Sequence, residues 1–251
     1  MKQNLLILGG TTEATALCQA LSAAGIGGTV SFAGRVQRPV RQPLPQRVGG
    51  FGGAEGLARY LLEHAISHVI DATHPFAAQM SANAVAACAA EDVPLIALTR
   101  PAWQAGPGDN WTHVPDIAGA VAALDRPATR VMLAVGRMHL AEFARNKQHF
   151  YLLRLINRPD APLPFPKYEI VQDRGPFSIA GDLALMRDHR IDLVVSKNSG
   201  GRGAHAKIIA ARELGLPVIM IDRPALPLRR EAHSVDAVLA WLAHDGTERG
   251  V

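Results

Sequence analysis

The chain has 251 residues, 48% of them hydrophobic, which is enough to bury a good core as one large α/β domain or two small ones. Its formal charge is +4, and 21 of its 26 basic residues are Arg. Aromatics are only 5%, the arginines are dispersed and no apolar run reaches the roughly 18 residues needed to span a bilayer, so neither nucleic acid nor a membrane is an expected partner.

Met1 leads directly into an apolar strand, which leaves no room for a signal peptide. Cys18 and Cys88 both fall in Ala-rich helical segments, far from CxxC or HExxH spacing. Neither a disulfide framework nor a metal site is expected, and a cytoplasmic protein is the default. The Arg bias suits a polyanionic small molecule, because the planar guanidinium grips carboxylates and phosphates bidentately. Codon bias from a GC-rich genome would produce the same composition.

In chain order, "NLLILGG" reads as a buried strand and "TEATALCQALSAAG" as a helix that stops at Gly25. Between them "GGTTEA" brings Gly9, Gly10, Thr11, Thr12 and Glu13 to a helix N-terminus, where unpaired N–H groups and the positive end of the helix dipole favour a phosphate. The stretch is not GxGxxG, and similar turns occur in proteins that bind no nucleotide. The second strand, "GTVSFAG", is followed by Arg35, and with Ser31 and Gly34 it offers no acid to an NAD ribose. An Arg there accommodates a 2′-phosphate, so the pattern points to NADPH; a plain surface Arg would look the same. The Pro- and Gly-rich "VQRPVRQPLPQRVGGFGG", with Arg38, Arg41 and Arg47, reads either as a lid or binding loop or as a solvated, mobile one.

A helix, "AEGLARYLLEHA", leads to the third strand, "SHVIDA", which breaks at an Asp-Ala-Thr-His-Pro turn. The carboxyl ends of strands in an open α/β sheet line the ligand crevice, so Asp71, Thr73, His74 and Pro75 are candidates to face a cofactor, with Pro75 also starting the next helix. A turn that only caps that helix is the alternative. After a fourth strand, "PLIALTR", the rhythm stops at "RPAWQAGPGDNW". The boundary is therefore expected near there: residues 1–110 as an NADPH-binding domain, 111–127 as a connection, and 128–251 as a second domain for the substrate and the nicotinamide side.

The second half resumes with "TRVMLAVGRMHLAEFA", read as strand, Gly and helix, and continues through the strands "FYLLRLI", "YEIVQ", "DLVVSKN" and "PVIMID". Continuous apolar strands alternating with helices imply parallel sheets covered on both faces. Lys197, Asn198, Ser199, Gly200 and Gly201 end one of these strands. A P-loop would place its Lys after the glycines, so ATP chemistry is not expected. Donors beside two glycines suit a carboxylate, a phosphate or a nicotinamide amide, unless the segment is merely a capped helix with a surface Lys.

"GGTTEA", "DATHPFAAQMSANA", "RGPFS" and "SKNSGGRGAHAKIIAARELGLPVIMI", in this order and across nearly the whole chain, resemble the precorrin-6A reductase family of cobalamin biosynthesis. The resemblance implies two Rossmann-like domains with the cofactor in the cleft between them, and a first strand that can be exchanged. It implies NADPH-dependent reduction of one carbon–carbon double bond of precorrin-6A to give precorrin-6B. It places family motifs on Gly10 to Glu13, on Gly34 and Arg35, on Asp71 to Phe76 and on Lys197 to Gly201. One departure is "IAGDLALM" after "RGPFS", where an acidic helix start is expected; it touches the local helix cap.

A tetrapyrrole fringed with carboxylates suits an Arg-rich surface, and Arg137, Arg154 and Arg174 are the candidates to bind it, beside the Lys197–Gly201 loop. The proton donor stays open among His74, Asp71 and Lys197, and so does the presence of cobalt in the ring. A short-chain dehydrogenase needs Tyr and Lys four apart, whereas the three tyrosines give Tyr60–His64, Tyr151–Leu155 and Tyr168–Gln172. An NADP(H)-binding redox sensor remains, although a sensor has little need of an anion-binding surface. A monomer or weak homo-oligomer is expected.

Overall fold

The computed structural model describes residues 3–34, 41–157, 159, 161–173 and 175–248. Their strands form two six-stranded sheets in which every pairing is parallel. The chain starts with β1 (Leu5–Leu8), α1 (Thr12–Ala23), β2 (Gly28–Phe32), β3 (Gln46–Val48) and α2 (Gly53–Glu63), then β4 (His68–Asp71), α3 (Ala78–Ala90) and β5 (Leu95–Leu98). Next come β6 (Trp111–Val114), α4 (Ile117–Ala123), β7 (Arg130–Ala134), a 3₁₀ segment (Arg137–Arg145), β8 (Phe150–Leu155) and β9 (Tyr168–Gln172). The chain closes with α5 (Ile179–Asp188), β10 (Leu193–Lys197), α6 (Ala206–Glu213), β11 (Val218–Ile221), β12 (Arg230–Ala232) and α7 (Val235–Glu248).

The sheet orders are β3-β2-β1-β4-β5-β12 and β9-β8-β7-β10-β11-β6. Both are the doubly wound order, in which direction reverses beside the first strand and a crevice opens at the carboxyl ends there. The α/β, Rossmann-like expectation is thus met, twice. Central strands such as Leu5–Leu8 and Val218–Ile221 are 2% exposed or less at every residue, as apolar runs covered on both faces must be. On one face of the first sheet α1 lays down Ala14, Leu17, Cys18 and Leu21, at helical spacing, beside Val238, Trp241 and Leu242 of α7. Leu57 and Leu61 of α2 and Ala84, Ala87 and Cys88 of α3 cover the other. Cys18 and Cys88 are free and buried, and burial pushes their thiols up to about 11 and about 12, with the Asp71 charge adding to the second. Among the described residues no helix is long and apolar enough to cross a membrane.

Two compact units result: Met1–Pro101 with Ala225–Val251, and Ala102–Pro224. The sequence boundaries need correction. Residues 111–127 are no connector, since they hold β6 and α4 of the second sheet, and residues 225–251 return to the first unit with β12 and α7. The first strand is not exchanged, because β1 pairs with β2 and β4 at the centre of its own sheet. What crosses over is the sixth strand: β6 follows β5 yet pairs with β11, and β12 follows β11 yet pairs with β5. These edge strands, with β3, read "WTHV", "REA" and "QRV", too short and polar to show as apolar runs. The segment after β7, expected as a helix, is wound as a 3₁₀ helix.

If α7 belongs to the first unit, Trp241→Ala should destabilise that unit by about 3–5 kcal/mol, the usual cost of emptying a buried Trp site. Hydrogen exchange should then speed up in β1 and β4 while β7 and β10 keep their protection. Equal losses in both sheets would contradict the placement.

Candidate active site

At the end of β1 the chain passes so close to β2 that a Cβ on Gly9 would sit 2.9 Å from Val30 Cγ2. Gly10 follows at φ +121°, a conformation open to glycine, and the space its side chain would occupy holds no atom within 4 Å. Thr11 caps α1: its hydroxyl accepts from the Ala14 N–H at 3.1 Å and donates to the Ala72 carbonyl at 2.8 Å. A clear approach to backbone above Gly10, at the positive end of a 12-residue helix, is the shape a dinucleotide pyrophosphate requires, so these residues fit such a group.

The side chains of the next two residues, Thr12 and Glu13, are paired. The Thr12 hydroxyl donates to Glu13 Oε2 at 3.1 Å, and Arg100 Nη1 donates to both Glu13 oxygens at 3.0 and 2.8 Å. Burial, the largest influence on Glu13, pushes its carboxyl up, but the hydrogen bonds from Arg100, from its own N–H and from Thr12, with the Arg100 charge, together outweigh it and leave the group below its ordinary value of 4.5. The acid beside the glycine turn is therefore neutralised by a cation. Ser31 is buried and accepts from Arg47 Nη1 at 2.7 Å. Arg47 also binds the carbonyls of Gly49 and Gly50 and lies 3.9 Å over the Phe51 ring, so it braces the loop between β3 and α2. Arg41 is exposed, Gly34 turns at φ +73°, and Arg35 and Arg38 lie outside the described residues.

The second turn starts at Asp71, which sits opposite Leu8 in the sheet; the Ala72 N–H bonds the Leu8 carbonyl at 2.9 Å. Register and the Thr11 hydroxyl thus bring Gly9–Thr11 and Ala72–His74 to one crevice. Asp71 itself is withdrawn from it. Its side chain is 2% exposed; Oδ1 accepts from the Thr73 N–H at 3.1 Å and the Thr73 hydroxyl at 2.6 Å, and Oδ2 from Ser81 Oγ and Arg229 Nη1, both at 2.6 Å. A carboxylate has about four lone-pair sites, and all are taken. The candidacy of Asp71 as proton donor is corrected on that ground: it holds the turn. Pro75 is corrected as well. It does not open α3, which begins at Ala78; it lies in a β-turn closed by Ala77 N–H to His74 O at 2.7 Å, where Pro suits the second position. His74 is half-buried, and its Nδ1 accepts from the Phe76 N–H at 3.2 Å, which puts the proton of the neutral ring on Nε2.

In the second unit the turn after β10 is braced in a parallel way. Asn198 is buried: its Oδ1 accepts from the Trp103 N–H at 2.8 Å and its Nδ2 donates to the Trp103 carbonyl at 3.0 Å. The Trp103 indole N–H bonds the Gly201 carbonyl at 2.8 Å, and Arg223 bonds the carbonyls of Asn198 and Ser199 at 3.0 and 3.2 Å. The Asn198 side chain is therefore a strut and not a substrate ligand. Lys197 and Ser199 are half-buried, and Gly200 and Gly201 turn at φ +67° and +70°.

Arg154 is likewise corrected as a substrate residue. Its side chain is 7% exposed, paired with Asp182 and stacked 3.6 Å over the Phe177 ring, because β8 points it at α5 and away from solvent. Arg137 stands exposed where the 3₁₀ segment leaves β7, and Arg174 lies outside the described residues. The departure after "RGPFS" leaves the cap intact: Ser178 Oγ accepts from the Gly181 N–H at 3.1 Å, and Asp182 supplies the acid of the first turn.

Sequence reasoning missed Arg229, Ser81, Trp103 and Arg223. A buried Asp71 demands a cation, but "LPLRRE" offers two arginines and no rule to choose between them.

Two outcomes follow from these pairs. A folded carboxyl value below the unfolded one adds stability above the unfolded value and loses it as pH falls through the folded one. Glu13→Gln should therefore be less stable than the parent near neutral pH, and the gap should close in acid, which urea titrations across pH would read. Asn198→Ala strips two partners from a buried backbone and should cost about 2–4 kcal/mol, with a shifted Trp103 emission. An unchanged melting temperature would restore Asn198 as a ligand residue.

A family model described as precorrin-6x reductase CbiJ/CobK matches residues 4–243. The precorrin-6A reductase of Rhodobacter capsulatus is 57% identical over 98% of this chain and 99% of its own. The cobalt-precorrin-6A reductase of Priestia megaterium is 31% identical over 88% of this chain and 91% of its own. A solved structure of a CobK precorrin-6A reductase, 56% identical, superposes with a TM-score of 0.93 and 97% coverage of both chains. With the two doubly wound sheets and the glycine turn already in view, the conclusion is that the chain belongs to the precorrin-6x reductase family.

Proposed function

We propose that the protein reduces one carbon–carbon double bond of precorrin-6A, giving precorrin-6B, with NADPH as its reductant. The observation that carries this reading is the meeting of the Gly9–Thr11 and Ala72–His74 turns in one crevice, in a chain that aligns along almost its whole length with precorrin-6A reductases. NADPH, when bound, supplies the hydride. Gly9 and Gly10 let the pyrophosphate approach backbone, and the α1 N-terminus offers it N–H groups and a favourable dipole.

Arg35 is assigned to the 2′-phosphate from the sequence, because the end of β2 carries no acid for an unmodified ribose. His74 is kept as the first candidate for the proton: with Nδ1 accepting from the Phe76 N–H its neutral ring offers Nε2–H as a hydrogen-bond donor, and delivery of a proton requires the ring protonated at both nitrogens, with Nδ1 turned from that N–H. Lys197 is the second candidate. For substrate carboxylates the reading keeps Arg137, Lys197, Ser199, Gly200 and Gly201, with Arg174 assigned from the sequence alone. The metal-free ring is favoured over the cobalt form by identities of 57% and 46% to two precorrin-6A reductases against 31% to a cobalt-precorrin-6A reductase.

The test is incubation with precorrin-6A and NADPH, followed by the macrocycle spectrum and the fall in NADPH absorbance. Both should change together, whereas an NADP(H) sensor would leave the macrocycle spectrum unaltered. Arg35→Ala should weaken NADPH about tenfold to a hundredfold, as loss of a charged hydrogen bond does, and barely touch NADH. His74→Asn should lower kcat more than it lowers the melting temperature. A variant that melts much lower but keeps its full rate would reduce His74 to a structural element.

A further inference from the structure

We propose that Arg229 is a positioning residue of the reductase, acting on the crevice through Asp71, an assignment that rests on the function proposed above. The guanidinium lies just beyond the point where the chain returns to the first unit, ahead of β12. It is 7% exposed, donates from Nη1 to Asp71 Oδ2 at 2.6 Å, and has its Nε 3.4 Å from Glu231 Oε1. Among the described residues its hydrogen bonds and ion pairs go to Asp71 and Glu231, and not to the glycine turn, Thr73 or His74. Its influence has to pass through the carboxylate.

That carboxylate organises hydroxyl directions. While Asp71 is ionised, both its oxygens accept, and the Thr73 N–H, the Thr73 hydroxyl and the Ser81 hydroxyl all point their hydrogens inward. Thr73 Oγ1 also lies 3.5 Å from Ser81 Oγ, so the two hydroxyls form one small network. The ionisable groups around Asp71 are Arg229 and, beyond it, Glu231 on the β12 side; the Cys88 thiol on the α3 side, raised by burial and then by the Asp71 charge; and His74 in the same turn. Arg229 is the one cation recorded on this carboxylate among the described residues.

Without Arg229 a buried, unpaired charge remains, and such a group takes up a proton instead. A protonated oxygen is a donor. The new hydrogen needs an acceptor where Arg229 had stood as a donor, and Ser81 Oγ lies within reach of Oδ2 at 2.6 Å, so the Ser81 hydroxyl, and with it the Thr73 hydroxyl, would have to turn. Thr73 precedes His74, so the error passes directly into the turn that faces the crevice. A plain buried ion pair would affect stability alone; this arrangement ties stability to the direction of a hydroxyl beside the site.

The test compares Arg229→Met with Arg229→Met/Asp71→Asn in the full chain. In the double variant the Asn carbonyl can still accept from Thr73, and its amide can donate to Ser81 Oγ with no charge left to balance. Arg229→Met is expected to lose at least tenfold in kcat with precorrin-6A and to weaken NADPH, read by fluorescence titration, at least threefold. The double variant should return both to within threefold of the parent. Glu63→Gln, on the exposed end of α2, should leave both unchanged. If Arg229→Met fails to fold, Arg229→Lys takes its place, with the same rescue by Asp71→Asn expected in the pair. Single variants that match the parent in kcat and NADPH affinity, or a double variant no better than the single, would overturn the positioning role. A parent that neither binds NADPH nor reduces precorrin-6A would instead contradict the proposed function.

Discussion

The buried carboxylate of Asp71 is the constraint around which the first unit's crevice is built. An ionised group removed from water must be met by donors on all sides, or it loses its charge. Here the donors come from three places in the chain: the turn itself, Ser81 of α3, and Arg229 in the returning segment. The hydrogen bonding of the turn after β4 is therefore complete only with the far end of the chain in place. That dependence gives the exchanged sixth strand a purpose beyond covering an edge, since β12 pairs with β5 and carries Arg229 to its place.

The second unit solves the same problem without a charge. Its turn after β10 is held by an amide, Asn198, whose two ends pair with the backbone of Trp103, and by Arg223 on two carbonyls. Trp103 lies just after the chain enters this unit and Arg223 just before it leaves. In both units, then, residues next to a chain crossing are seated on the turn that follows the fourth strand of the doubly wound order. Each turn is fixed by buried hydrogen bonds, and in the second unit the Trp103 that supplies them is also packed into the core.

Much of this fold was legible because its central strands are continuous apolar runs and its helices carry glycine stops and hydroxyl caps. The parallel, twofold Rossmann-like architecture follows from that alternation. The glycine turn was legible for the same reason, as strand, two glycines and a Thr cap. The edge strands were not, because "REA" and "WTHV" bury one face at most and have no period to detect. Nor was the domain boundary, since a chain that crosses and returns leaves no mark in local composition.

Roles within the turns were harder still. Asp71, Asn198 and Arg154 stand at strand ends or beside crevices, where polar residues read as ligands, and only their partners show that each is occupied internally. The sequence carries the partners too, but over separations of more than ninety residues for Asn198 and Trp103 and more than a hundred and fifty for Asp71 and Arg229. Nothing local announces a contact at that range.

The central claim is that this chain moves a hydride from a nicotinamide to a carbon of the macrocycle. Its most direct test is mass spectrometry of the tetrapyrrole after incubation with NADPH carrying deuterium at both C4 positions. The account predicts a product heavier by two hydrogens, one of them a carbon-bound deuterium that survives exchange into ordinary water. A macrocycle of unchanged mass, or a reduced product without deuterium, would contradict it.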